Sequence, residues 1–470
     1  MKTTSKIKSL GAIILGAAIV LGGLLFVSFA IPQTGSLLLV KDPVVAAQLK
    51  SFVAEKAAQA YAVTNPIPAE FKSFFHAAEK GDWLAVSNDF AEFRKHAGQY
   101  DHSGKTDERL RGTAWQAVIE TWGALAAFGE GDGQYSAEFG TNIVASIPPG
   151  SIYFGGTDPG RFLVTAFCKS QVKADPFFVL TQNALADVTY LQYLQGMYGR
   201  KIYTPTIEDS QKCFQDYTQD VAARQKKNQL KPGEGVNVDA NGRIQISGHV
   251  AVMQINGLMA KIVFDKNPDR DFYVEESFPL DWMYPYLEPH GLIFKINRQP
   301  LTGLTDDMVA QDHDYWSGLV RPMIGDWLTD DTSVEEVAAF AKKTFGQQDF
   351  TGFTGDPRFI QSEYSSKTFS KLRSAIAGLY AWRQDQAVSG QDKKRMADAA
   401  DFAFRQAWAL CPYSPEVVFR YVNFLLEQNR ASDAILVAET MAQMPSMRGQ
   451  EGEQIRATVD QLKAFQKSKN

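Results

Sequence analysis

Apolar residues follow two kinds of spacing along this chain. From residue 42 to about 133 they recur at helical intervals, as with Phe71, Phe74 and Phe75, which would lie on one face of a helix. From about 150 to 297 short apolar runs alternate with helical segments, and beyond 300 the helical intervals return. The order of these patterns predicts an α/β region between two all-α regions.

The segment from Ile147 to Gly199 carries the alternation of strands and helices most clearly. The apolar run Ser151–Phe154 precedes a glycine-rich turn and a helical stretch, and the run Phe177–Leu180 precedes a polar turn and a second helical stretch. Short strands alternating with helices of this length are typical of βαβ units. We therefore predict a small Rossmann-like α/β domain with a mostly parallel sheet, whose functional edge lies just beyond the strand ends.

The turn between the first predicted strand and its helix is the best candidate for a ligand-binding site. Gly155 and Gly156 allow the backbone to come close to a ligand, and Asp158, after Thr157, is suited to capping the helix. An aspartate at a helix amino terminus repels a phosphate, so a hydroxylated ligand such as a sugar fits better. The plainer interpretation is a strand-to-helix turn in which Asp158 is only a cap.

The amino terminus predicts a membrane-spanning helix. Lys2, Lys6 and Lys8 precede an uncharged run whose apolar core, from Leu10 to Ile31, is about long enough to cross a bilayer. With the lysines on the cytoplasmic side, the bulk of the chain is expected outside, on the periplasmic face of the inner membrane if the protein is bacterial. The alternative is a cleaved signal peptide, whose apolar region is usually shorter.

These patterns divide the chain into consecutive parts. In order, we predict a cytoplasmic tail (1–8), a transmembrane helix (9–31), a helical module (42–133), the α/β domain (134–300), a helical connector (301–356) and a region of paired helices (357–470).

An acidic and aromatic cluster lies in the predicted connector. Its members are Asp306, Asp307, Asp312, His313, Asp314, Tyr315, Trp316, Asp326, Trp327, Asp330 and Asp331. Carboxylates beside aromatic faces can bind sugars, and paired carboxylates about 5–10 Å apart can hydrolyse glycosidic bonds. Helical spacing gives a simpler interpretation, in which Met308, Tyr315 and Leu319 form a buried stripe and the acids face solvent.

Composition excludes several classes of function. The net charge is -5 and no long basic run occurs, whereas nucleic-acid binding requires clustered lysine and arginine. The three cysteines, Cys168, Cys213 and Cys411, are far apart, which predicts small buried side chains instead of disulfides or a zinc site. No phosphate-binding loop, strand-borne nucleotide fingerprint or nucleophile motif occurs, so we expect no cofactor and no metal.

Small residues recur at helical spacing near the carboxy terminus, and prolines follow the helices. The positions are Ala400, Ala403, Ala407, Pro412, Ala434 and Pro445. The two prolines are 33 residues apart, and Ala400 and Ala434 are 34 apart. In this period and in these positions the region resembles tetratricopeptide repeats, which implies paired helices that bind another protein. We predict that the alanines lie where paired helices touch.

The middle of the chain has a second resemblance. Residues Ile147–Asp158, Phe272–Glu276 and Tyr286–Leu292 are similar to the soluble domain of bacterial multi-span membrane proteins of the protein O-mannosyltransferase-like family. The resemblance implies a link to glycosylation. It supplies no catalytic residue here, because that family's catalytic acids are expected in a loop between early membrane helices, and this chain has no such loop.

These features favour a membrane-anchored scaffold or binding protein that recruits a protein partner through its paired helices. The alternative is an accessory protein that binds a glycan or a glycosylated partner beside a glycosyltransferase. An enzyme acting at the Gly155 turn is a third hypothesis, and the sequence leaves open whether any catalysis occurs.

Overall fold

Helices form most of the structure, a computed structural model that describes residues 40, 42–97, 107, 110, 112–231, 233–238, 244–247 and 249–469. Within these residues, no helix is both long and apolar enough to cross a membrane. The predicted tail at 1–8 and the predicted transmembrane helix at 9–31 lie outside the described residues. The prediction of a single-pass membrane protein therefore finds no support in the structure.

The first part of the described chain is a group of helices with a core of its own. They are α1 (Pro43–Val63), α2 (Ala69–Lys80), α3 (Trp83–Ala97) and α4 (Thr113–Gly129). Pro66 and Pro68 keep α1 from continuing into α2. Gly81 ends α2 with a left-handed φ of 71°, which lets α3 turn back immediately. Phenylalanines such as Phe71 and Phe74 fill the space between these helices.

Two strand–helix units follow. Their elements are α5 (Gly133–Ser146), β1 (Ile152–Gly155), α6 (Asp158–Phe167), β2 (Phe178–Thr181) and α7 (Val188–Tyr198). Strands β1 and β2 pair in parallel, with Ile152 opposite Phe178 and Gly155 opposite Thr181. Every residue of both strands is buried, which explains why they appear in the sequence as continuous apolar runs without alternation.

A polar helix and a hairpin separate these units from the rest of the sheet. The elements are α8 (Ile207–Lys226), β3 (Gly235–Val238), β4 (Ile244–Ser247) and α9 (His249–Lys266). β3 and β4 pair in antiparallel fashion, with Val236 opposite Ile246, and so form a hairpin. The turn residues between the two strands lie outside the described residues.

The sheet is small and mixed, and the predicted mostly parallel, Rossmann-like arrangement is wrong. Its remaining strands are β5 (Phe272–Glu275), β6 (Leu287–His290) and β7 (Ile293–Ile296). The spatial order is β2-β1-β5-β7-β6. β5 is parallel to β1, but β7 is antiparallel to both of its neighbours. Only the half of the sheet formed by β2, β1 and β5 is parallel.

The prediction of a mostly parallel sheet was wrong for a local reason. β6 contains Pro289, which cannot donate a hydrogen bond to a sheet and is tolerated here because β6 is an edge strand. A tight turn at Gly291, with a φ of 60°, then reverses the chain into β7. Because β6 was not foreseen, β7 was expected to follow the direction of the other strands.

The carboxy-terminal third consists of helices that share one apolar core with the sheet. They are α10 (Asp306–Ile324), α11 (Val334–Ala341), α12 (Pro357–Gln361), α13 (Glu363–Gln386), α14 (Gly390–Leu410), α15 (Pro415–Glu427), α16 (Ala431–Ala442) and α17 (Gln450–Lys469). A continuous cluster of buried apolar side chains runs from Ala127, through every strand of the mixed sheet, to Leu462 in α17. The fold is thus mostly helical, around a small mixed sheet.

The small residues of the predicted repeats are deeply buried. Ala400, Ala403, Ala407 and Ala434 are all 0% exposed, and consecutive helices from α13 to α17 contact one another. Two prolines follow helices in this region: Pro412 is buried after α14, and Pro445 is exposed beyond α16. The resemblance to tetratricopeptide repeats stays a prediction.

Helix α10 carries much of the acidic cluster, but its buried face differs from the predicted one. The buried residues are Asp312, Trp316, Val320, Met323 and Ile324, whereas Met308, Tyr315 and Leu319 are only partly buried. Asp312 is buried because a cation and a hydrogen-bond donor contact its carboxylate there. Its Oδ2 is 2.6 Å from Nη1 of Arg373 and accepts a hydrogen bond of 2.8 Å from the Tyr380 hydroxyl. The cluster therefore contributes a buried ion pair between helices.

A second buried ion pair connects the first helices to the sheet region. Lys56 of α1 is 0% exposed, and its ammonium lies 2.5 Å from Oε2 of Glu120 in α4. The same ammonium donates to Oε1 of Gln171 and, over 3.0 Å, to the hydroxyl of Tyr193 in α7. Tyr193 in turn donates to Glu120 over 2.8 Å. The ion pair itself lies within the first helices, and Gln171 and Tyr193 connect it by hydrogen bonds to the strand–helix units.

Candidate functional site

Three parallel strands end side by side, and polar residues follow each of them. Gly155 of β1 lies between Thr181 of β2 and Glu275 of β5. The chain then continues into the Gly156–Asp158 turn, into a short 3₁₀ helix at Gln182–Ala184 and into Glu276. The sequence predicted the site at this edge of the sheet, where ligands bind in open α/β sheets.

The two glycines of the predicted site provide space for neighbouring parts of the protein. Neither glycine has a positive φ. A Cβ on Gly155 would lie 2.7 Å from the backbone Cα of Arg161, and one on Gly156 would lie 2.8 Å from the Glu275 carbonyl oxygen and closer still to the Glu276 carboxyl. Gly155 therefore leaves space for the start of helix α6, and Gly156 leaves space for the protein's own acidic residues at the end of β5.

The cap of helix α6 is Thr157, not Asp158 as the sequence suggested. The Thr157 hydroxyl accepts a hydrogen bond of 3.1 Å from the Gly160 amide. Asp158 is the first residue of the helix; its side chain is 64% exposed and lies 3.5 Å from Nε of Arg161. Asp158 is thus free to contact solvent or a ligand without disturbing the cap.

Glu275 occupies the position at the amino terminus of α6 where an external anion would bind. Its carboxyl group accepts hydrogen bonds of 3.3 and 3.0 Å from the amides of Gly156 and Thr157, and one of 2.6 Å from the Thr157 hydroxyl. The side chain is fully buried. Burial raises the pKa of Glu275 to about 7, although the bonds from Thr157 and the charge of Lys371 oppose the increase.

Glu276 lies beside it, on the side of β2. It accepts hydrogen bonds of 3.0 Å from the Gln182 amide and 3.2 Å from the Phe278 backbone, and it is 5% exposed. Burial, and then repulsion by Glu275, raise the pKa of Glu276 to about 8. At neutral pH the carboxyl group of Glu276 is therefore mostly protonated, so that it can donate as well as accept a hydrogen bond.

Charged residues of the carboxy-terminal helices face these acids. Lys371 of α13 lies 3.3 Å from the carboxylate of Glu416 in α15. Burial lowers the pKa of Lys371, but the Glu416 carboxylate outweighs burial and the net effect is an increase. Arg420, one helical turn after Glu416, donates to the backbone carbonyl of Ser277, directly after Glu276. The carboxy-terminal helices therefore form the second side of the site.

The site is closed at its base and open at its rim. Glu275 and Glu276 are almost completely buried, whereas the side chains of Glu416, Lys371 and Asp158 are 14%, 26% and 64% exposed. We refer to these residues as the sheet-edge cluster, which comprises Thr157, Asp158, Glu275, Glu276, Lys371, Glu416 and Arg420. Among the residues that the structure describes, no group of three or more His, Cys, Asp or Glu side chains is arranged to hold a metal ion.

A small cavity lies next to the cluster and is too small for an organic ligand. Its volume is about 40 Å³, and Trp115, Glu120, Arg161, Thr181 and Asp187 are among the residues that line it. The indole N–H of Trp115 has no hydrogen-bond partner among the described residues. A cavity of this size holds a few water molecules but not a sugar ring.

Comparison with protein-family models, with curated protein sequences and with solved structures found no match to this chain. The similarity to the O-mannosyltransferase-like family therefore stays a prediction, and the argument for function rests on the sheet-edge cluster.

Sequence reasoning located the turn but missed most of the cluster. Glu275 and Glu276 directly follow the apolar run Phe272–Val274, so two adjacent acids at the end of a predicted sheet strand were the available signal. Lys371 and Arg420 had no such signal, because they reach the site only through the packing of α13 and α15. All three cysteines are buried and unpaired, as predicted.

Proposed function

We propose that the protein binds a hydroxylated ligand, such as a glycan, at the sheet-edge cluster. The observation that carries this proposal is the set of uncharged hydrogen-bonding groups at its base. Oε1 of Gln182 and Oγ of Ser277 are buried and have no hydrogen-bond partner among the described residues, and both adjoin Glu276. Sugar hydroxyls both donate and accept hydrogen bonds, which is what such a mixed set of neutral groups requires.

The rim of the cluster supports the same class of ligand. Asp158 and Asn183 are exposed there, and the Asn183 amide already donates a hydrogen bond of 2.9 Å to the Gly156 carbonyl. Carboxylates and amides at an open rim can bind the hydroxyl groups of a sugar that extends out of the site. The predicted ligand-binding residues Gly155, Gly156, Thr157 and Asp158 would then act together with the acids of β5.

Recruitment of a protein partner through the paired helices lacks a comparable observation. Val388, between α13 and α14, is the one large apolar side chain that is exposed among the described residues from 357 to 467, and a single exposed side chain does not form an apolar patch. A role in protein binding stays a prediction, and the contribution of α13 and α15 that we propose is to the ligand site itself.

The proposal can be tested by measuring the binding of neutral oligosaccharides to the full chain by titration calorimetry. Glu276→Gln keeps an uncharged group that donates and accepts, so binding should be retained. Glu276→Leu removes both functions and should abolish it. Glu79→Gln, an exposed site on α2, is the matched control. Circular dichroism establishes that each variant is folded.

The absence of binding to any neutral oligosaccharide would refute the proposal. If Glu276→Gln and a folded Glu276→Leu variant bind the oligosaccharide equally well, the ligand binds elsewhere and not at the sheet-edge cluster.

A further inference from the structure

Arg420 has hydrogen-bond donors that the protein does not use. A guanidinium group has five N–H donors, and the one hydrogen bond that Arg420 makes to the described part of the chain goes from Nη2 to the Ser277 carbonyl. Its guanidinium carbon lies 3.9 Å from the centre of the Phe278 ring, which holds the group in place. Among the described residues, no carboxylate oxygen lies within 4.0 Å of its nitrogens.

Two neighbouring arginines show how the same chain satisfies a buried guanidinium. Arg373 pairs with Asp312 at 2.6 Å and donates to Gln406 at 2.8 Å. Arg383 has no carboxylate partner in the described part of the chain, but it donates to several backbone carbonyls, with distances of 2.9 Å to Leu301 and 3.0 Å to Pro285. Arg420 has neither arrangement, although it is only partly exposed. Its remaining donors are available to a ligand.

Lys371 adds a second positive charge to the same place. Both cations are close to Glu416, since Lys371 pairs with Glu416 and the charge of Glu416 acts on Arg420. Glu416 is the only carboxylate among the described residues within 4.0 Å of Lys371, while Asp158 and Glu276 act on the two cations from a greater distance. Burial lowers the pKa of Arg420, and the charges of Tyr284, Glu416 and Glu276 oppose the decrease.

We propose that Arg420, with Lys371 beside it, binds an anionic oxygen group on the ligand, a carboxylate or a phosphate. This rests on the proposed function, and it makes an acidic glycan the preferred ligand, one that binds more tightly than a neutral glycan. The planar guanidinium fork matches two oxygens of either group, and its fixation against Phe278 reduces the cost of ordering it. The hydroxyl groups of the same ligand would contact the base of the cluster near Glu276.

The test compares three probes on the full chain by titration calorimetry: glucose, glucuronate and inorganic phosphate. We expect glucuronate to bind at least about tenfold more tightly than glucose, since a hydrogen bond between charged groups is stronger than one between neutral groups. Arg420→Gln should remove this preference, and Arg420→Lys should keep part of it because the charge remains without the fork. Arg321→Gln is the control, since the Arg321 side chain is 71% exposed on α10. Thermal unfolding establishes that the variants are folded.

The outcomes separate this inference from the proposed function. Equal binding of glucose and glucuronate, or a preference that survives in folded Arg420→Gln, overturns the anion site and leaves the hydroxyl site standing. Phosphate binding that depends on Arg420, without binding of any neutral sugar, supports the anion site and overturns the proposed function. If none of the probes binds, both are wrong. Phosphate binding more tightly than glucuronate would identify the anionic group as a phosphate.

Discussion

Replacing Glu276 by glutamine should make the protein more stable at alkaline pH. The folded state holds a proton on Glu276 that the unfolded chain releases, because its pKa rises from 4.5 to about 8 on folding. Folding stability must then fall as pH rises between these two values, and it changes no further above about pH 8. Glutamine resembles the protonated acid in shape and never ionises. A flip of the Gln182 amide would present its unpartnered Oε1 to the new N–H group.

The size of the effect follows from the pKa difference. A tenfold change in proton affinity corresponds to about 1.4 kcal/mol, so full ionisation of Glu276 costs about 5 kcal/mol of folding free energy. Half of the group is already ionised near its folded pKa of about 8. Between about pH 6 and about pH 9 the wild-type protein should therefore lose about 2 to 3 kcal/mol through Glu276. The variant should retain only the smaller contribution of Glu275, whose pKa rises from 4.5 to about 7 on folding.

Urea denaturation followed by tryptophan fluorescence measures this difference at the two pH values. The exposed Glu79→Gln variant should keep the pH dependence of the wild type. If the wild type and Glu276→Gln lose the same stability between the two pH values, Glu276 ionises without a cost in folding free energy, and its pKa is not raised on folding.

Three further predictions concern packing and capping. Ala403→Trp should destabilise the carboxy-terminal helices by about 1–3 kcal/mol or more in denaturant titration, because a fully buried alanine offers no room; an unchanged midpoint would contradict this. Asp312→Asn should cost about 3–5 kcal/mol, since it leaves the Arg373 charge buried and unpaired; a cost under about 1 kcal/mol would mean that water reaches the pair. Thr157→Ala should lower the thermal midpoint while Asp158→Asn leaves it unchanged, and the reverse result would restore Asp158 as the cap.

The sequence was sufficient for elements that local residues determine. Pro66 and Pro68 mark the gap between α1 and α2, and Gly81 marks the end of α2, because their backbone restrictions act whatever the rest of the chain does. Strand direction is different. Whether β7 runs parallel or antiparallel to β5 depends on a hairpin whose first strand carries Pro289 at an edge, and the sequence does not say which strand is the edge.

The candidate site shows the same limit at the level of side chains. The turn at Gly155 follows a strand, so its position at the sheet edge could be foreseen. The burial of Glu275 could not, because it depends on Thr157 and the start of α6 lying against it. Asp312 was expected to face solvent for a similar reason. An aspartate is predicted to be exposed unless a buried cation pairs with it, and the partner of Asp312, Arg373, lies on another helix.

The buried pair of Lys56 and Glu120 limits how this chain can be shortened for expression. A fragment that starts after α1 would retain Glu120 without its cation, and one that starts after α4 would leave Gln171 and Tyr193 with polar atoms facing a vacated surface. The first truncation leaves one charge of a desolvated ion pair without its partner, which is strongly destabilising, and the second leaves buried polar atoms without their hydrogen-bond partners. Soluble fragments of the sheet region should therefore begin no later than Asp42, the residue that caps α1.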